Sequence, residues 1–196
     1  MKHDFNLFDA FTFFDKYNSG YLYKIDIKQG LDKLGIYGPR HEIDLWFKRQ
    51  DSNGDGKLRF SEFSDAFTPT DKIYADLLNN RRSSGARYPE DAFSFSTRLE
   101  FANCLRKMLR NEGFAEDLRQ SIQRRPLFRV SEAFEAIDVD NNGFLTKQEF
   151  GKLLEEHRFY ATNKELDLLM SKYDKDRDGR VSYSEFFSET SPKKGY

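Results

Sequence analysis

Residues 174–185, D-K-D-R-D-G-R-V-S-Y-S-E, carry oxygen-bearing side chains at regular intervals. These side chains occupy the first, third, fifth, ninth and twelfth places of the run: Asp174, Asp176, Asp178, Ser182 and Glu185. A hard divalent cation binds about six to eight oxygen atoms, so alternate residues of a tight loop must point inward. Gly179, at the sixth place, permits the sharp bend because a residue without a Cβ readily adopts a positive φ. The run therefore predicts a site for a hard cation.

This spacing resembles that of the calcium-binding loop of the EF-hand family. The resemblance implies that the seventh residue, Arg180, contributes its backbone carbonyl and that Glu185 closes the shell with two oxygens. Three further copies of the pattern begin at Asp15, Asp51 and Asp138. Within each pair the loops start 36 residues apart, whereas 87 residues separate Asp51 from Asp138. We therefore expect two pairs of helix-loop-helix units with a long insert between them.

Apolar residues recur eight, five, four and one places ahead of the loops, which places them on one face of a helix. In chain order they are Leu7, Ala10, Phe11 and Phe14, then Ile43, Trp46 and Phe47, then Val130, Ala133, Phe134 and Ile137, then Leu166, Leu169, Met170 and Tyr173. A further apolar residue follows each loop directly: Ile27, Phe63, Phe150 and Phe186.

The predicted fold class is all-α, with two EF-hand lobes joined by a helical insert. The resemblance is nearest to calmodulin-type proteins with four hands, and it covers about residues 1–67 and 130–190. It implies a short two-stranded bridge within each pair, formed by the eighth loop residues: Leu22, Leu58, Leu145 and Val181.

The second and third loops carry most of the same ligand pattern. The third loop offers a complete set, namely Asp138, Asp140, Asn142, the Phe144 carbonyl, Thr146 and Glu149. The second loop offers Asp51, Asn53, Asp55, the Lys57 carbonyl and Glu62, but Arg59 stands at its ninth place. A guanidinium group has no acceptor atom, so a water molecule would have to complete the shell there. We expect Ca²⁺ at the three loops that begin at Asp51, Asp138 and Asp174.

The first loop departs from the pattern. It keeps Asp15, Ser19 and Gly20, but Tyr17 stands at the third place and Asp26 at the twelfth. A neutral phenol is a poor calcium ligand, and the shorter Asp26 makes bidentate closure harder. We expect this loop to bind Mg²⁺ weakly or to be an empty structural loop.

Three segments follow from this organisation: an N-terminal EF-hand pair at 1–67, a helical and basic insert at 68–129, and a C-terminal pair at 130–196. The insert is predicted to hold a helix over Asp71–Asn79 and a flexible joint at Arg81–Gly85. Thr97-Arg-Leu-Glu100 reads as a capping box at the start of a second helix. That helix should bury Leu99, Ala102, Leu105, Met108 and Leu109 and end at Gly113. We expect the insert to pack on at least one lobe, with about residues 96–125 protected together with the C-terminal pair.

A third, shorter helix is predicted to carry Phe114, Leu118 and Ile122 and to end at Pro126. The insert holds 12 basic and 8 acidic residues, with a basic group at Arg106, Lys107, Arg110, Arg119, Arg124 and Arg125. A solvated helix face explains this group better than a nucleic-acid site, given the modest charge. An acidic protein surface, a phosphate or the chain's own acidic lobe are the alternatives. We expect no nucleic-acid partner.

Composition favours a binding protein outside the membrane. The net charge is -1, the mean hydropathy is -0.80, and no apolar run approaches the ~20 residues of a membrane span. We expect no signal peptide, and Lys2 excludes N-myristoylation. A single cysteine, Cys104, agrees with a reducing compartment. Cytoplasmic residence is the expectation, with a cytoskeletal or ciliary location as the alternative.

Catalysis is not expected, because the three histidines lie far apart in the sequence and the acidic residues belong to the loops. The favoured hypothesis is a calcium sensor or regulatory subunit that binds a dedicated protein partner, such as a helix. The composition of 20 Phe against 3 Met favours a rigid groove over an adaptable one. The alternative is a structural component of a ciliary, axonemal or cytoskeletal assembly that holds its partner regardless of calcium.

Overall fold

The computed structural model describes residues 3–193, and the described residues form two compact units that meet in sequence at Phe114 and Ala115. The first unit contains α1 (Leu7–Phe14), β1 (Tyr21–Leu22), α2 (Lys24–Lys33), α3 (Arg40–Gln50), β2 (Leu58–Arg59), α4 (Phe60–Phe67), α5 (Lys72–Asn79), a 3-10 turn (Pro89–Asp91) and the first twenty residues of α6 (Phe95–Gln123). The second unit contains the rest of α6, then α7 (Val130–Ile137), β3 (Phe144–Leu145), α8 (Lys147–Glu156), α9 (Asn163–Tyr173), β4 (Val181–Ser182) and α10 (Tyr183–Thr190). The predicted fold class is confirmed.

Each pair of loops is joined by an antiparallel bridge of two-residue strands. In the first pair Leu22 lies opposite Leu58, and in the second Leu145 lies opposite Val181. All four side chains are fully buried. The bridge therefore joins the two loops of a pair through their eighth residues.

The apolar core of the first unit includes a helix from outside the EF-hand pair. Phe101 of α6 lies 6.2 Å from the ring of Phe14 and 5.4 Å from that of Phe67, measured between centroids. Leu105 and Leu109, one and two helical turns further along, are buried in the same core. This half of the insert helix thus completes the N-terminal lobe. The insert packs on a lobe, as expected, but for this half that lobe is the N-terminal pair and not the C-terminal one.

Helix α6 also differs from the prediction in its bounds. It begins at Phe95, so Thr97 lies within its first turn, where its hydroxyl donates to Asp4 Oδ1 at 2.5 Å. This bond and one from the Ser94 N–H lower the pKa of Asp4 to about 2. The helix continues through Gly113, where a Cβ would come within 3.0 Å of Glu42 Cγ. Gly113 therefore allows a close approach and does not end the helix.

The segment Arg81–Gly85, which we expected to be a flexible joint, is hydrogen-bonded to the start of the chain. The Arg81 guanidinium donates to the Phe5 carbonyl at 2.8 Å, and the Ser83 hydroxyl donates to Asp9 at 2.5 Å. The predicted helix before it is present as α5, capped by Asp71.

The core of the second unit is built by its own pair. Its buried members are Val130, Phe134, Ile137, Leu145, Phe150, Met170, Val181 and Phe186, and Phe128 packs at its edge. The end of α6 contacts α10 through polar groups: Arg119 Nε donates to the Glu189 carbonyl at 2.8 Å, and Arg119 Nη2 pairs with the Glu189 carboxylate at 3.7 Å. One member of the basic group is thus a buried ion-pair residue facing the acidic lobe.

Candidate metal centres

All four loops share a backbone scaffold built around the first-place aspartate. In the fourth loop Asp174 accepts hydrogen bonds from the backbone N–H groups of Asp178 and Gly179, at 3.2 and 2.9 Å. The other loops repeat this arrangement. The fourth and sixth residues of every loop have positive φ, and at the sixth place a glycine removes the steric cost. These local hydrogen bonds fix the first-place aspartate and the bend of each loop.

The fourth loop gathers three carboxylates. Oxygens of Asp174, Asp176 and Glu185 all lie within 4.8 Å of one another. Glu185 is held by the Lys175 N–H on one oxygen, at 2.7 Å, and by the Ser182 N–H and hydroxyl on the other, at 2.8 and 2.7 Å. The twelfth-place carboxylate is therefore fixed by hydrogen bonds from its own loop, with one oxygen in the cluster.

Electrostatics in this loop favour a bound cation. The Asp178 N–H donates to Asp176 and would lower its pKa, but lost hydration and the carboxylates of Asp178 and Glu185 outweigh that bond, so the pKa of Asp176 is raised. Asp178 itself accepts from the Arg180 N–H at 2.8 Å. A divalent cation would relieve this like-charge repulsion, and the donor set, all oxygen, suits Ca²⁺.

The third loop gathers a second carboxylate cluster. Oxygens of Asp138, Asp140 and Glu149 lie within 4.8 Å of one another, and Asp138 and Glu149 are buried. Both the N–H and the hydroxyl of Thr146 donate to Glu149 at 2.8 Å. Asn142, at the fifth place, accepts from the backbone N–H of the seventh residue at 2.9 Å. These residues fit a calcium site in the same way as those of the fourth loop.

The second loop has the same scaffold but carries a competing cation. Asp51 and Asn53 accept from the Asp55 N–H at 3.1 and 2.8 Å, and Glu62 accepts from the Arg59 N–H at 3.0 Å. The Arg59 guanidinium, however, pairs with Asp55 Oδ2 at 3.2 Å. Sequence reasoning identified Arg59 as a non-ligand but missed this contact, which the inward direction of the fifth and ninth places of the loop would have suggested.

In the first loop the two acidic side chains accept hydrogen bonds from nearby groups of the chain. Asp15 is buried and accepts from Ser19 and Gly20, while Tyr17 at the third place is largely exposed. Asp26 caps α2 by accepting from a backbone N–H at 2.8 Å. Across residues 3–193, groups of three acidic side chains with oxygens this close occur in the third and fourth loops, and neither the first nor the second loop is among them.

The predicted carbonyl ligands lie at equivalent points of the fold. Lys57 and Arg180 directly precede β2 and β4, and Phe144 opens β3. The family model described as an EF-hand domain pair matches residues 4–68 and 128–191. The chain belongs to the EF-hand family. It is a calmodulin-like, calcium-binding EF-hand protein, as the names of its relatives also indicate.

Two rice relatives resemble this EF-hand protein along most of its length. "Probable calcium-binding protein CML11" of Oryza sativa subsp. japonica is 28% identical over 178 residues, which is 91% of this chain and 62% of the relative. "Probable calcium-binding protein CML28" of the same plant is 26% identical over 179 residues, which is 90% of this chain and 87% of the relative.

Human "Calcium-binding protein 8" is 36% identical over 73 residues, which is 37% of this chain and 28% of the relative. The matched region thus spans less than two thirds of the first rice relative and of the human protein. EF-hand calcium-binding proteins are typically not enzymes. Within residues 3–193 none of the helices has the length and apolar character that crossing a membrane requires.

The Arg59–Asp55 ion pair yields a test of the second loop. In a chain carrying Glu149→Gln and Glu185→Gln, so that the second loop dominates binding, Arg59→Ser should tighten calcium binding. An exposed ion pair contributes about 0.2–1 kcal/mol, and removing one nearby positive charge adds a similar amount, so we expect an increase in affinity of about twofold to thirtyfold by calorimetry.

Arg180→Ser is the matched control, because it removes an equal charge from a loop whose arginine lies over the Phe144 ring, 5.6 Å from its centroid. Unchanged or weaker binding in the Arg59 variant would show that the guanidinium does not compete with the ion.

Proposed function

We propose that this EF-hand protein is a calcium sensor or regulatory subunit for a dedicated protein partner. Ca²⁺ would bind the loops that begin at Asp51, Asp138 and Asp174, through the oxygen ligands named from the sequence, while the Asp15 loop serves as a structural element. Binding, and not catalysis, is its activity. The C-terminal pair is the part that responds to calcium, and the N-terminal pair is a constant anchor.

The difference between the two cores carries this proposal. In the N-terminal unit α6 fills the apolar face of the EF-hand pair with Phe101, Leu105 and Leu109. In the C-terminal unit the buried core, as far as the chain is described, comes from the pair itself. Opening the N-terminal lobe would break the apolar contacts that its pair makes with α6. Among the described residues, the core of the C-terminal pair has no such contacts with α6 to lose, so its apolar face can bind a partner.

Ion binding is also concentrated in the C-terminal pair. Within the described residues 3–193, the two carboxylate clusters with oxygens within 4.8 Å of one another belong to this pair. Calcium changes a conformational equilibrium only by as much as it prefers one state over the other. Two coupled calcium sites in the C-terminal lobe can contribute a larger difference in binding free energy between the open and closed states than the single site in the N-terminal lobe. The C-terminal pair is therefore where calcium would drive opening.

The chemistry of this lobe suggests its partner. Phe134, Phe150 and Phe186 line its core, and Tyr183 and Phe187 of α10 are about half exposed at its edge. Residues 131–196 hold 14 acidic and 10 basic residues. A helix with apolar anchors and basic flanking residues would complement both features.

The number of ions tests the site assignment. We expect three Ca²⁺ per chain by calorimetry and two for Glu185→Gln, because a neutral amide replaces a bidentate carboxylate. Asp26→Asn, a similar change at the twelfth place of the first loop, is the control and should leave the number at three. Four sites in the unmodified chain, or no loss in Glu185→Gln, would refute the assignment.

Calcium-dependent exposure of apolar surface tests the sensor role. Calcium should raise the fluorescence of an apolar probe several-fold, because opening exposes the aromatic face of the C-terminal lobe. Glu149→Gln with Glu185→Gln should abolish the increase, while Glu62→Gln, in the anchor lobe, should leave most of it. Equal probe binding in calcium and in EGTA would contradict a sensor and favour a structural subunit that holds its partner regardless of calcium.

A further inference from the structure

The segment 81–86, which we call the strap, joins α5 to the 3-10 turn and reads R-R-S-S-G-A. Its backbone is irregular and its residues from Arg82 onward are exposed. Arg81 and Arg82 stand three and two places ahead of Ser84. A protein kinase with a carboxylate-lined substrate groove recognises guanidinium groups at fixed distances ahead of a hydroxyl, in a segment free to extend. The strap offers the arginine spacing and an exposed serine, and its hydrogen bonds to Phe5 and Asp9 must open before it can extend into such a groove.

Outside the strap, four further serines have an arginine two places ahead, and all four lie in a helix or a strand: Ser61, Ser121, Ser131 and Ser182. Ser131 follows Arg129, but it lies in the first turn of α7, where its backbone is committed to the helix. Ser84 is in no helix or strand, so it can enter an extended groove without unfolding one of these elements.

The strap is attached to α1, the entering helix of the first hand. The Ser83 hydroxyl and the Ser84 N–H donate to the two carboxylate oxygens of Asp9, at 2.5 and 2.8 Å. Asp9 is buried and also accepts from the Asn6 amide at 2.6 Å. A buried carboxylate held by neutral donors is sensitive to any negative charge placed beside it.

We propose that Ser84 is a phosphorylation site for an arginine-directed serine kinase and that its phosphate detaches the strap from α1. The donor is a nucleoside triphosphate bound to the kinase. Ser84 Oγ attacks the γ-phosphorus, the bond from that phosphorus to the bridging oxygen breaks, the nucleoside diphosphate leaves, and the hydroxyl proton passes to the kinase base. The modification requires no calcium and lies in the anchor lobe, so it acts separately from the proposed sensor.

The phosphate would weaken the contact between the strap and α1 because it would repel the Asp9 carboxylate. The Ser84 N–H donates to Asp9, so a phosphate on the hydroxyl of the same residue stands within a few ångströms of that carboxylate. It carries about two negative charges near neutral pH, and Asp9 is ionised and poorly hydrated, so the two groups repel. The hydrogen bonds from Ser83 and Ser84 to Asp9 are those that break.

The site is tested with the full chain, magnesium ATP and the catalytic subunit of a cyclic-AMP-dependent kinase, with the phosphate located by mass spectrometry. We expect modification at Ser84, its loss in Ser84→Ala and its retention in Ser83→Ala. Arg82→Gln should slow it about tenfold, the loss of one charge-assisted hydrogen bond, whereas Arg87→Gln, which removes the same charge on the other side of the serine, should not. Modification confined to other residues, or equal rates for the two arginine variants, would overturn the assignment.

The release is measured by hydrogen exchange of the peptide that spans the strap, in modified and unmodified chains. Phosphorylation should speed exchange of the Ser84 amide about tenfold or more, because its hydrogen bond to Asp9 is lost. Asp9→Asn in the unmodified chain should give a smaller increase, since the amide side chain keeps one acceptor. Unchanged or slower exchange after modification would show that the phosphate is accommodated by the arginines, and the proposed release would be wrong.

Discussion

The burial of one face of α6 in the N-terminal lobe determines how the two EF-hand pairs differ. A helix-loop-helix unit cannot bury both of its helices alone, so the units pair, and a pair still leaves an apolar face. In the first unit Phe101, Leu105 and Leu109 cover that face. Each fully buried side chain of this size contributes about 1.5–3 kcal/mol from removal of apolar surface from water, so opening this lobe would forfeit several such contributions.

The loops depend on a second constraint, the repulsion among carboxylates that face one another without an ion. The scaffold of backbone hydrogen bonds to Asp138 and Asp174 holds them in place despite that repulsion. Ligand positions set by the loop need little rearrangement when a cation enters. The second loop relieves part of its own charge with Arg59, so its ion must compete with a group that the other loops lack.

The loops and their flanking helices were predictable because their signals are local. The glycine at the sixth place, the ligand spacing and the apolar positions ahead of each loop lie within one short stretch, and the bridge through Leu58 and Val181 follows from the family resemblance. The partner of α6 was not predictable, because periodicity defines an apolar face but not what covers it. Phe101, absent from the predicted face, is the residue that contacts the N-terminal core through its ring.

The strap and the start of α6 were mispredicted for a related reason. Arg81–Gly85 has the composition of a mobile linker, but its bonds reach residues more than seventy positions earlier in the chain. Thr97 fits a capping box, but its hydroxyl donates instead to Asp4, 93 positions earlier in the chain. Such long-range polar contacts can override a local pattern. They could not be predicted from the sequence because they produce no repeating pattern of residue types.

The central claim, that calcium reorganises the C-terminal pair while the N-terminal pair stays closed on α6, is tested most directly by hydrogen exchange of the whole chain in calcium and in EGTA. The account predicts that amide exchange in α7 to α10 changes with calcium, whereas exchange in α1 and in α6 from Phe95 to Phe114 does not. Equal changes in the two units, or a change confined to the N-terminal one, would contradict it.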